Sequence, residues 1–218
     1  MLGVIVFSSC VPNKKILYLQ TEGELKTEYE KDSILRRYNL KNYEYRIQSE
    51  DVLSIRFESL TEDEYNVFSG QDENIGGVNQ ANLILSGYLV DKECMIEFPA
   101  IGKVEVAGLT IHEVSSKLKE LANDYVEEPV VKVRLLNFRV TVLGEVNAEG
   151  IVQNFNNRLT VMEAIALAGG LGEVADRSNV KIIKQREGHS EVLYVNLLEE
   201  RFMTSDYFFL HQNDIIIV

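Results

Sequence analysis

The alternation of apolar and polar positions along the chain predicts short strands interrupted by two short helices. Apolar residues recur at helical spacing from Thr110 to Tyr125 and again from Thr160 to Ala168. Elsewhere the apolar residues mostly alternate with a period of two, which is typical of strands with one buried face. The predicted strands are 43–48, 52–57, 88–90, 94–98, 101–106, 130–136, 140–146, 151–155, 180–185, 192–195, 207–210 and 215–218.

The two predicted helices begin with the same local motif. Thr110 is followed by Glu113 at the third position after it, and Thr160 is followed by Glu163 in the same way. In such a capping box the Thr hydroxyl accepts a hydrogen bond from the third helical amide, and the Glu carboxylate accepts one from the amide of the cap residue. Each pair therefore predicts a helix start and has a structural role.

A second motif is repeated at the starts of two predicted strands. Asp51 opens an apolar strand that follows Glu50, and Asp214 opens another that follows Asn213. Together the two repeated motifs predict an α+β fold with two tandem small modules of mixed sheet, each with a short capped helix. Repeated modules usually build a scaffold or a binding surface, because a catalytic centre needs unlike groups that converge once.

The composition is that of a folded acidic protein. The 218 residues are 45% hydrophobic and 26% charged, which is enough to bury a core. The net charge is −12, and no stretch of the sequence forms a basic cluster. Nucleic-acid binding needs clustered cations to neutralise phosphates, so the sequence excludes nucleic acid as a partner.

The two cysteines are too few for a disulfide framework or a zinc site. Cys94 begins an alternating segment and is predicted to be a small buried residue of a strand. Cys10 follows a short apolar run and Ser8-Ser9, which resembles the end of a bacterial lipoprotein signal peptide and predicts a lipid on Cys10. Val11, rather than Asp, after that cysteine favours sorting to the outer membrane. No run of about 20 apolar residues predicts a membrane-spanning helix.

No catalytic or metal-binding constellation is present in the sequence. His112, His189 and His211 lie in different predicted elements and lack a metal-ligand spacing. Gly169 and Gly170 follow a helix and are not followed by the Lys of a phosphate loop, so they predict a helix stop. No pair of carboxylates is nominated for glycosidic cleavage. The sequence therefore predicts a protein without catalytic residues, metal or cofactor.

The order of the motifs resembles the polysaccharide biosynthesis/export family, followed by an SLBB domain (soluble-ligand-binding β-grasp). In the first half, the motifs that carry the resemblance are 45–47 with 51–55, 98–104 with Pro99 and Gly102, and 106–110 with Gly108. In the second half, they are 142–146 with Gly144, 159–165, 168–171 and 210–218. The expected domains are a lipoprotein signal-like segment at 1–10, an extension at 11–42, the export domain at 43–137 and the β-grasp-like SLBB domain at 138–218.

The resemblance is to Wza-type outer-membrane export lipoproteins of capsules and exopolysaccharides, and it implies a function. Such a protein is expected to form a homo-oligomeric periplasmic ring or tube for a polysaccharide polymer, anchored to the outer membrane by its lipid. Its expected partner is an inner-membrane polysaccharide co-polymerase of the tyrosine-kinase type. One alternative is a monomeric periplasmic β-grasp module that binds a glycan or a small ligand, and the oligomeric state separates these two. A third, minor alternative is a glycan-modifying enzyme.

The chain departs from the family pattern at several turns. Glu50 and Asn213 stand where the family often has Gly before the Asp. Cys94 stands where the family often has the Gly of Asp-Gly, and Glu149-Gly150 replaces Pro-Gly. These are turn positions, so the departures concern loop geometry.

Overall fold

The computed structural model describes residues 17–20, 34, 36–40, 43–58, 84–98, 101–125, 128–186 and 188–218. Cys10 and Pro99 lie outside the described residues. The chain divides into two compact units. The first unit consists of Tyr43–Arg139 and Gln153–Leu159, and the second unit consists of Met1–Asn42, Val140–Val152 and Thr160–Val218.

The described part of the first unit contains a three-stranded antiparallel sheet, a separate hairpin and a helix. In chain order the elements are β1 (Val52–Glu58), β2 (Tyr88–Leu89), β3 (Met95–Phe98), β4 (Gly102–Glu105), α1 (Ile111–Ala122) and β5 (Val130–Leu135). Strand β1 lies between β2 and β5, and β3 pairs with β4. Helix α1 packs against β5, where the Ser115 hydroxyl donates a hydrogen bond to the Val131 carbonyl at 2.6 Å.

Alternation along β1 and β5 sorts the side chains of this sheet onto two faces. Leu53 pairs with Leu135, and Ile55 pairs with Val133, and all four side chains are buried. Helix α1 contributes Val114, Leu118 and Ala122, which recur every four residues and are fully buried. One face of the sheet therefore belongs to the core of the first unit.

The described part of the second unit contains a five-stranded mixed sheet. Its elements are β6 (Arg139–Leu143), β7 (Gly150–Gln153), α2 (Val161–Leu167), β8 (Val180–Arg186), β9 (His189–Val195), a 3₁₀ helix (Glu200–Thr204) and β10 (Ile215–Ile217). The strand order is β7-β6-β10-β8-β9, with β10 parallel to β6 and antiparallel to β8. Val142, Ile182 and Ile216 are neighbours in this register and are fully buried, so they mark the core face of the sheet.

The predicted α+β class is confirmed by these sheets and helices. The predicted hairpin of β8 and β9 also forms, although β9 begins at His189 rather than at Val192. Within the described residues, neither helix has the length and apolar character needed to cross a bilayer.

Two predicted strands are wrong. Among the described residues, 43–48 and 207–210 make a single bridge each, from Arg46 to Thr110 and from Phe209 to Thr160. Tyr45, Ile47 and Phe209 are nevertheless buried, which accounts for the apolar alternation. Burial of alternate side chains does not require a strand, because a strand also needs a neighbour that runs alongside it for several residues.

The prediction that Cys94 is a buried strand residue is also wrong. Strand β3 begins at Met95, and Cys94 is a half-buried turn residue with a φ of 68°. The amide of Cys94 donates to the carbonyl of Asp91 at 3.1 Å, and the Asp91 side chain accepts from the amide of Met95 at 2.7 Å. A positive φ favours Gly, which explains why the family often has Gly at the position of Cys94.

Candidate functional site

The aspartate that precedes β1 is the centre of a buried turn. Asp51 is 1% exposed. Its carboxylate accepts hydrogen bonds from the Tyr45 hydroxyl at 2.8 and 3.0 Å, and from the Gln48 amide at 2.9 Å. Burial raises the pKa of Asp51 to about 6, although both hydrogen-bond donors act to lower it. Glu50, immediately before, has a φ of 72°, in the left-handed region.

The aspartate that precedes β10 lies in a turn of the same kind. Asp214 is 0% exposed, and its Oδ2 accepts from the His211 amide at 2.8 Å. Asn213, immediately before, has a φ of 64°. Each turn has a carboxylate that accepts from the amide three residues earlier, a left-handed residue before it and a strand after it. The repeated sequence motif is therefore also a structural repeat. The Gly that the family often has would suit the left-handed positions of Glu50 and Asn213.

A buried cluster of charges surrounds the second aspartate. Lys184, in the core of β8, is 2% exposed, and its Nζ lies 3.7 Å from Oδ2 of Asp214. An Arg186 guanidinium nitrogen lies 3.6 Å from Oδ1 of Asp214, and Lys184 Nζ lies 3.4 Å from Nδ1 of His211. Burial lowers the pKa of Lys184 and raises that of Asp214. Burial, together with the two cations, lowers the pKa of His211 to about 4, so this imidazole is neutral at pH 7.

The sequence did not single out Lys184, and it did not connect His211 with a buried cluster. The available signal is the alternation in β8, where Lys184 continues the buried stripe of Val180 and Ile182. A lone cation on an apolar stripe needs a buried partner. That partner, Asp214, lies thirty positions further along the chain and is brought to Lys184 by the pairing of β8 with β10.

Both predicted capping boxes are present. The Glu113 amide donates to the Thr110 hydroxyl at 3.2 Å, and the Thr110 amide donates to the Glu113 carboxylate at 2.7 Å. The corresponding distances for Thr160 and Glu163 are 3.1 and 2.8 Å. These four side chains complete the first turns of α1 and α2, so their hydrogen-bonding capacity is used locally.

The predicted helix stop is a Schellman motif. Gly169 has a φ of 78°, and its amide donates to the carbonyl of Ala166 at 3.0 Å. The Gly170 amide donates to the carbonyl of Ile165 at 2.9 Å. This pair of bonds is the one that closes a helix through a left-handed residue. The side-chain amide of Asn147 donates a hydrogen bond to the Gly169 carbonyl at 2.7 Å. Both the amide and the carbonyl of Gly169 are therefore hydrogen-bonded.

The remaining predicted glycines also lie in turns or at close approaches. Gly102 is the first residue of β4. Gly108 precedes the α1 cap, and its amide donates to the Ile47 carbonyl at 2.8 Å. Gly144 follows β6 and lies against the backbone of Val218, where a Cβ would meet the Val218 oxygen at 2.3 Å.

The aspartate turns, capping boxes and turn glycines stabilise the local fold. Asp51 and Asp214 are each enclosed in their own turn and present no carboxylate to solvent. Among the residues that the structure describes, no three His, Cys, Asp or Glu side chains gather where they could hold a metal ion. The surfaces of the two units are therefore the better candidates for a functional site.

The solvent-facing side of the five-stranded sheet carries apolar side chains on every strand, beside the polar residues Thr141, Lys181, Gln185 and Ser190. The apolar residues lie opposite the core face in the register of the strands, and we call them the open sheet face: Leu143, Ile151, Ile183, Val192, Tyr194, Ile215 and Ile217. Leu143, Ile151, Val192 and Tyr194 are exposed, and the three other isoleucines are half-buried. An apolar surface that runs across every strand of a sheet is typical of an interaction site.

The open sheet face is also free of negative charge where the strands pair. In the paired registers of β6, β8, β9 and β10, no carboxylate falls on this face. Within those registers the charged residue is Lys181, whose Nζ lies 5.5 Å from the ring centroid of Tyr194. On a chain with a net charge of −12, another acidic surface therefore meets little repulsion at these paired registers.

The pKa of Asp51 predicts a pH dependence of stability that Asp51→Asn removes. The folded-state pKa of about 6 exceeds the ordinary value of 3.8, so the folded protein prefers protonated Asp51. The contribution of Asp51 to stability is greatest below pH 4 and is lost as the pH rises through 6. Asn cannot titrate and can still accept from Gln48. The stability of Asp51→Asn relative to the wild type should therefore rise by about 2–3 kcal/mol between pH 4 and pH 7.

Urea unfolding at several pH values measures this difference. His211 acts in the opposite sense in both proteins, because its lowered pKa of about 4 destabilises the folded state as the pH falls below 6.5. Subtraction of the two profiles cancels that contribution. Parallel profiles for the wild type and Asp51→Asn would show that the carboxyl is not perturbed in the folded state.

The fold and its repeated aspartate turns define a class of tandem α+β modules, and comparison with known proteins identifies the family. Residues 39–136 match the family described as polysaccharide biosynthesis/export protein, and residues 138–218 match the SLBB domain. Together these matches cover most of the chain. The chain belongs to the polysaccharide biosynthesis/export family and carries an SLBB domain.

Two curated relatives carry the same name, EPS I polysaccharide export outer membrane protein EpsA. The protein from Ralstonia solanacearum is 32% identical over 180 residues, which are 79% of this chain and 47% of the relative. The protein from Ralstonia nicotianae (strain ATCC BAA-1114 / GMI1000) is 32% identical over 149 residues, which are 64% of this chain and 38% of the relative. The chain thus spans less than half the length of either relative.

Proposed function

We propose that this chain is a subunit of an outer-membrane export assembly for a capsular or extracellular polysaccharide. Copies of the chain join into a periplasmic ring or tube through which the polymer passes, and the subunit has no enzymatic activity. The family supports export of polysaccharide, and the names of the two relatives support the outer membrane.

The observation that carries the assembly is the open sheet face. A folded chain with a net charge of −12 repels its own copies over most of its surface. The residues of the open sheet face are apolar, and no carboxylate lies on this side of the sheet where the strands pair. Contact there releases water from apolar surface without bringing negative charges together. We propose that this face binds a second copy of the chain. A contact between this face and a different surface of the next copy repeats around an axis and closes into a ring.

The anchor and the partners belong to the same proposal. Cys10 carries the lipid that holds the subunit on the periplasmic side of the outer membrane, and an inner-membrane polysaccharide co-polymerase of the tyrosine-kinase type delivers the polymer. Residues 43–137 form the export domain and 138–218 the SLBB domain. Asp51, Asp214, the four capping residues and the turn glycines serve as framework.

A charge placed on the open sheet face should prevent assembly. Val192 is 59% exposed on β9, so Val192→Glu leaves the core intact and adds a negative charge to the face. In a deletion strain that produces the full-length protein, Val192→Glu should lose the cross-linked oligomers and most of the surface polysaccharide. Cys10→Ala should release the chain from the outer-membrane fraction.

Val174→Glu is the matched control for this experiment. Val174 is 78% exposed in the same unit but lies outside the five-stranded sheet, so the same substitution there should leave oligomers and polysaccharide at wild-type levels. Only monomers in the wild type, together with polysaccharide display that survives deletion of the protein, would refute export and favour a monomeric binding module.

A further inference from the structure

The five-stranded sheet of the second unit ends in two strands that each pair on one side. Within the described residues, β9 pairs with β8 alone and β7 pairs with β6 alone. The outward amides and carbonyls of an outer strand are a template for pairing with another strand. Both outer strands are accessible, because Ser190, Val192 and Tyr194 on β9 and Ile151 and Gln153 on β7 are exposed.

The sequences of the two outer strands lack the residues that usually protect a sheet edge. Proteins block edges with Pro, with Lys on the edge strand or with a bulge. Strand β9, His189–Val195, contains neither Pro nor Lys, and all of its residues pair with β8 in an unbroken register. Strand β7, Gly150–Gln153, contains no Pro and no charged residue. Both edges are therefore open to a further strand.

The two edges have directions that fit each other. Strands β6 and β7 are joined by the short turn 144–149, so they run antiparallel, because a parallel pair needs a connection of a dozen or more residues. Strand β10 is parallel to β6 and antiparallel to β8, and β8 is antiparallel to β9. It follows that β9 runs in the direction of β6 and opposite to β7. When a second copy lies beside the first in the same orientation, β9 of one copy and β7 of the other are antiparallel.

The side chains of the two edges also suit each other. Val192 and Tyr194 on β9 and Ile151 on β7 belong to the open sheet face, so pairing of the edges brings apolar side chains together across the junction. The charged residues of β9 are His189 and Glu191, whose side chains lie 3.9 Å apart, and β7 has no charge to oppose them. We propose that β9 of one copy pairs with β7 of the next copy, so that the sheet continues from subunit to subunit.

This pairing identifies the second surface of the contact between copies. The inference rests on the proposed function, in which the open sheet face of one copy meets a different surface of the next, and it assigns that surface to the β7 edge. Because β9 and β7 are different strands, the contact is head-to-tail and forms a ring when the rotation closes. The four residues of β7 allow only a short pairing, so the contact is favoured where many copies are held on one membrane.

Disulfide formation between introduced cysteines tests the pairing in cells that produce the full-length protein. Directly opposed side chains on antiparallel strands lie close enough for a disulfide. Registers that keep the same face differ by two residues, so Ile151→Cys is combined in turn with Ser190→Cys, Val192→Cys or Tyr194→Cys, each in a Cys94→Ser background. Under mild oxidation, at least one of these double variants should give a ladder of covalent oligomers, whereas each single variant should remain monomeric.

A control pair of cysteines separates edge pairing from random collision. Val174 is 78% exposed in the same unit but lies outside the five-stranded sheet. The double variant Ile151→Cys, Val174→Cys therefore carries the same number of thiols with one of them away from the edges, and it should give no ladder. Ladders of equal yield from this control and from the edge pairs would overturn the proposal, because they would reflect collision alone.

Two further outcomes would also overturn the edge pairing, and they leave the export function separately testable. Covalent dimers from a single β9 variant would show β9 against β9, a two-fold contact that does not propagate into a ring. Absence of a ladder from all three edge pairs would rule out the pairing, and export would still stand if deletion of the protein abolished surface polysaccharide. A ladder from an edge pair alone would support the pairing even if polysaccharide display survived deletion.

Discussion

Replacement of Lys184 by Met should lower the free energy of unfolding by about 3–5 kcal/mol. The Nζ of Lys184 lies 3.7 Å from Oδ2 of Asp214, and both side chains are almost fully buried. Loss of the cation leaves a buried carboxylate with Arg186 as its nearest positive charge, at 3.6 Å from Oδ1. Among the described residues Oδ1 of Asp214 has no hydrogen-bond partner, so Arg186 and the His211 amide are left to stabilise the charge. Urea unfolding of the purified protein measures the loss.

Lys181→Met is the matched control, because Lys181 lies on the same strand but on the half-exposed face. It should cost less than about 1 kcal/mol. The double variant Lys184→Met, Asp214→Asn should recover much of the stability, since it removes both charges together. A double-mutant cycle that gives no coupling energy between Lys184 and Asp214 would contradict the view that the two charges support each other.

The second large effect is expected for Gly144→Ala, which should destabilise the protein by about 3 kcal/mol or more. Gly144 has a φ of 90°, which is unfavourable for Ala. In addition, the new Cβ would lie 2.3 Å from the Val218 oxygen. That oxygen accepts a hydrogen bond from the Glu145 amide at 3.3 Å, and the Val218 amide donates to the Leu143 carbonyl at 3.0 Å. The backbone of Val218 is thus held on both sides and cannot move without loss of hydrogen bonds.

Gly188→Ala separates the two contributions. Gly188 also has a positive φ, of 77°, but a Cβ there would meet no atom within 4 Å. Its substitution should cost about 1 kcal/mol through backbone strain alone. Thermal or urea unfolding of both variants gives the comparison. Equal losses at Gly144 and Gly188 would mean that the contact with Val218 relaxes at no cost.

In the proposed assembly the second unit offers the open sheet face for contact between copies. The buried aspartate turns, capping boxes and helix stop use their carboxylates and hydroxyls in local hydrogen bonds. Their contribution is to hold short strands and helices in a defined geometry, which a scaffold for export requires.

Features that depend on neighbours in the chain could be predicted from the sequence. The capping boxes of Thr110 and Thr160 involve residues three positions apart, and the helix stop at Gly169 and Gly170 involves five. The left-handed geometry before Asp51 and Asp214 is of the same local kind, although Glu50 and Asn213 conceal it by replacing Gly. The order of these motifs was enough for the α+β class and for the family.

Features that depend on strand pairing were decided by the tertiary structure. Apolar alternation predicted strands at 43–48 and 207–210, but in the part of the chain that the structure describes each segment makes a single bridge. Lys184 meets Asp214 because β8 pairs with β10, and Arg56 meets Lys132 because β1 pairs with β5. Sequence alone determined the local turns, caps and family order, since their hydrogen bonds close within a few residues. Only the fold decided which distant charges share a core or a surface, because register between strands is set by packing over the whole sheet.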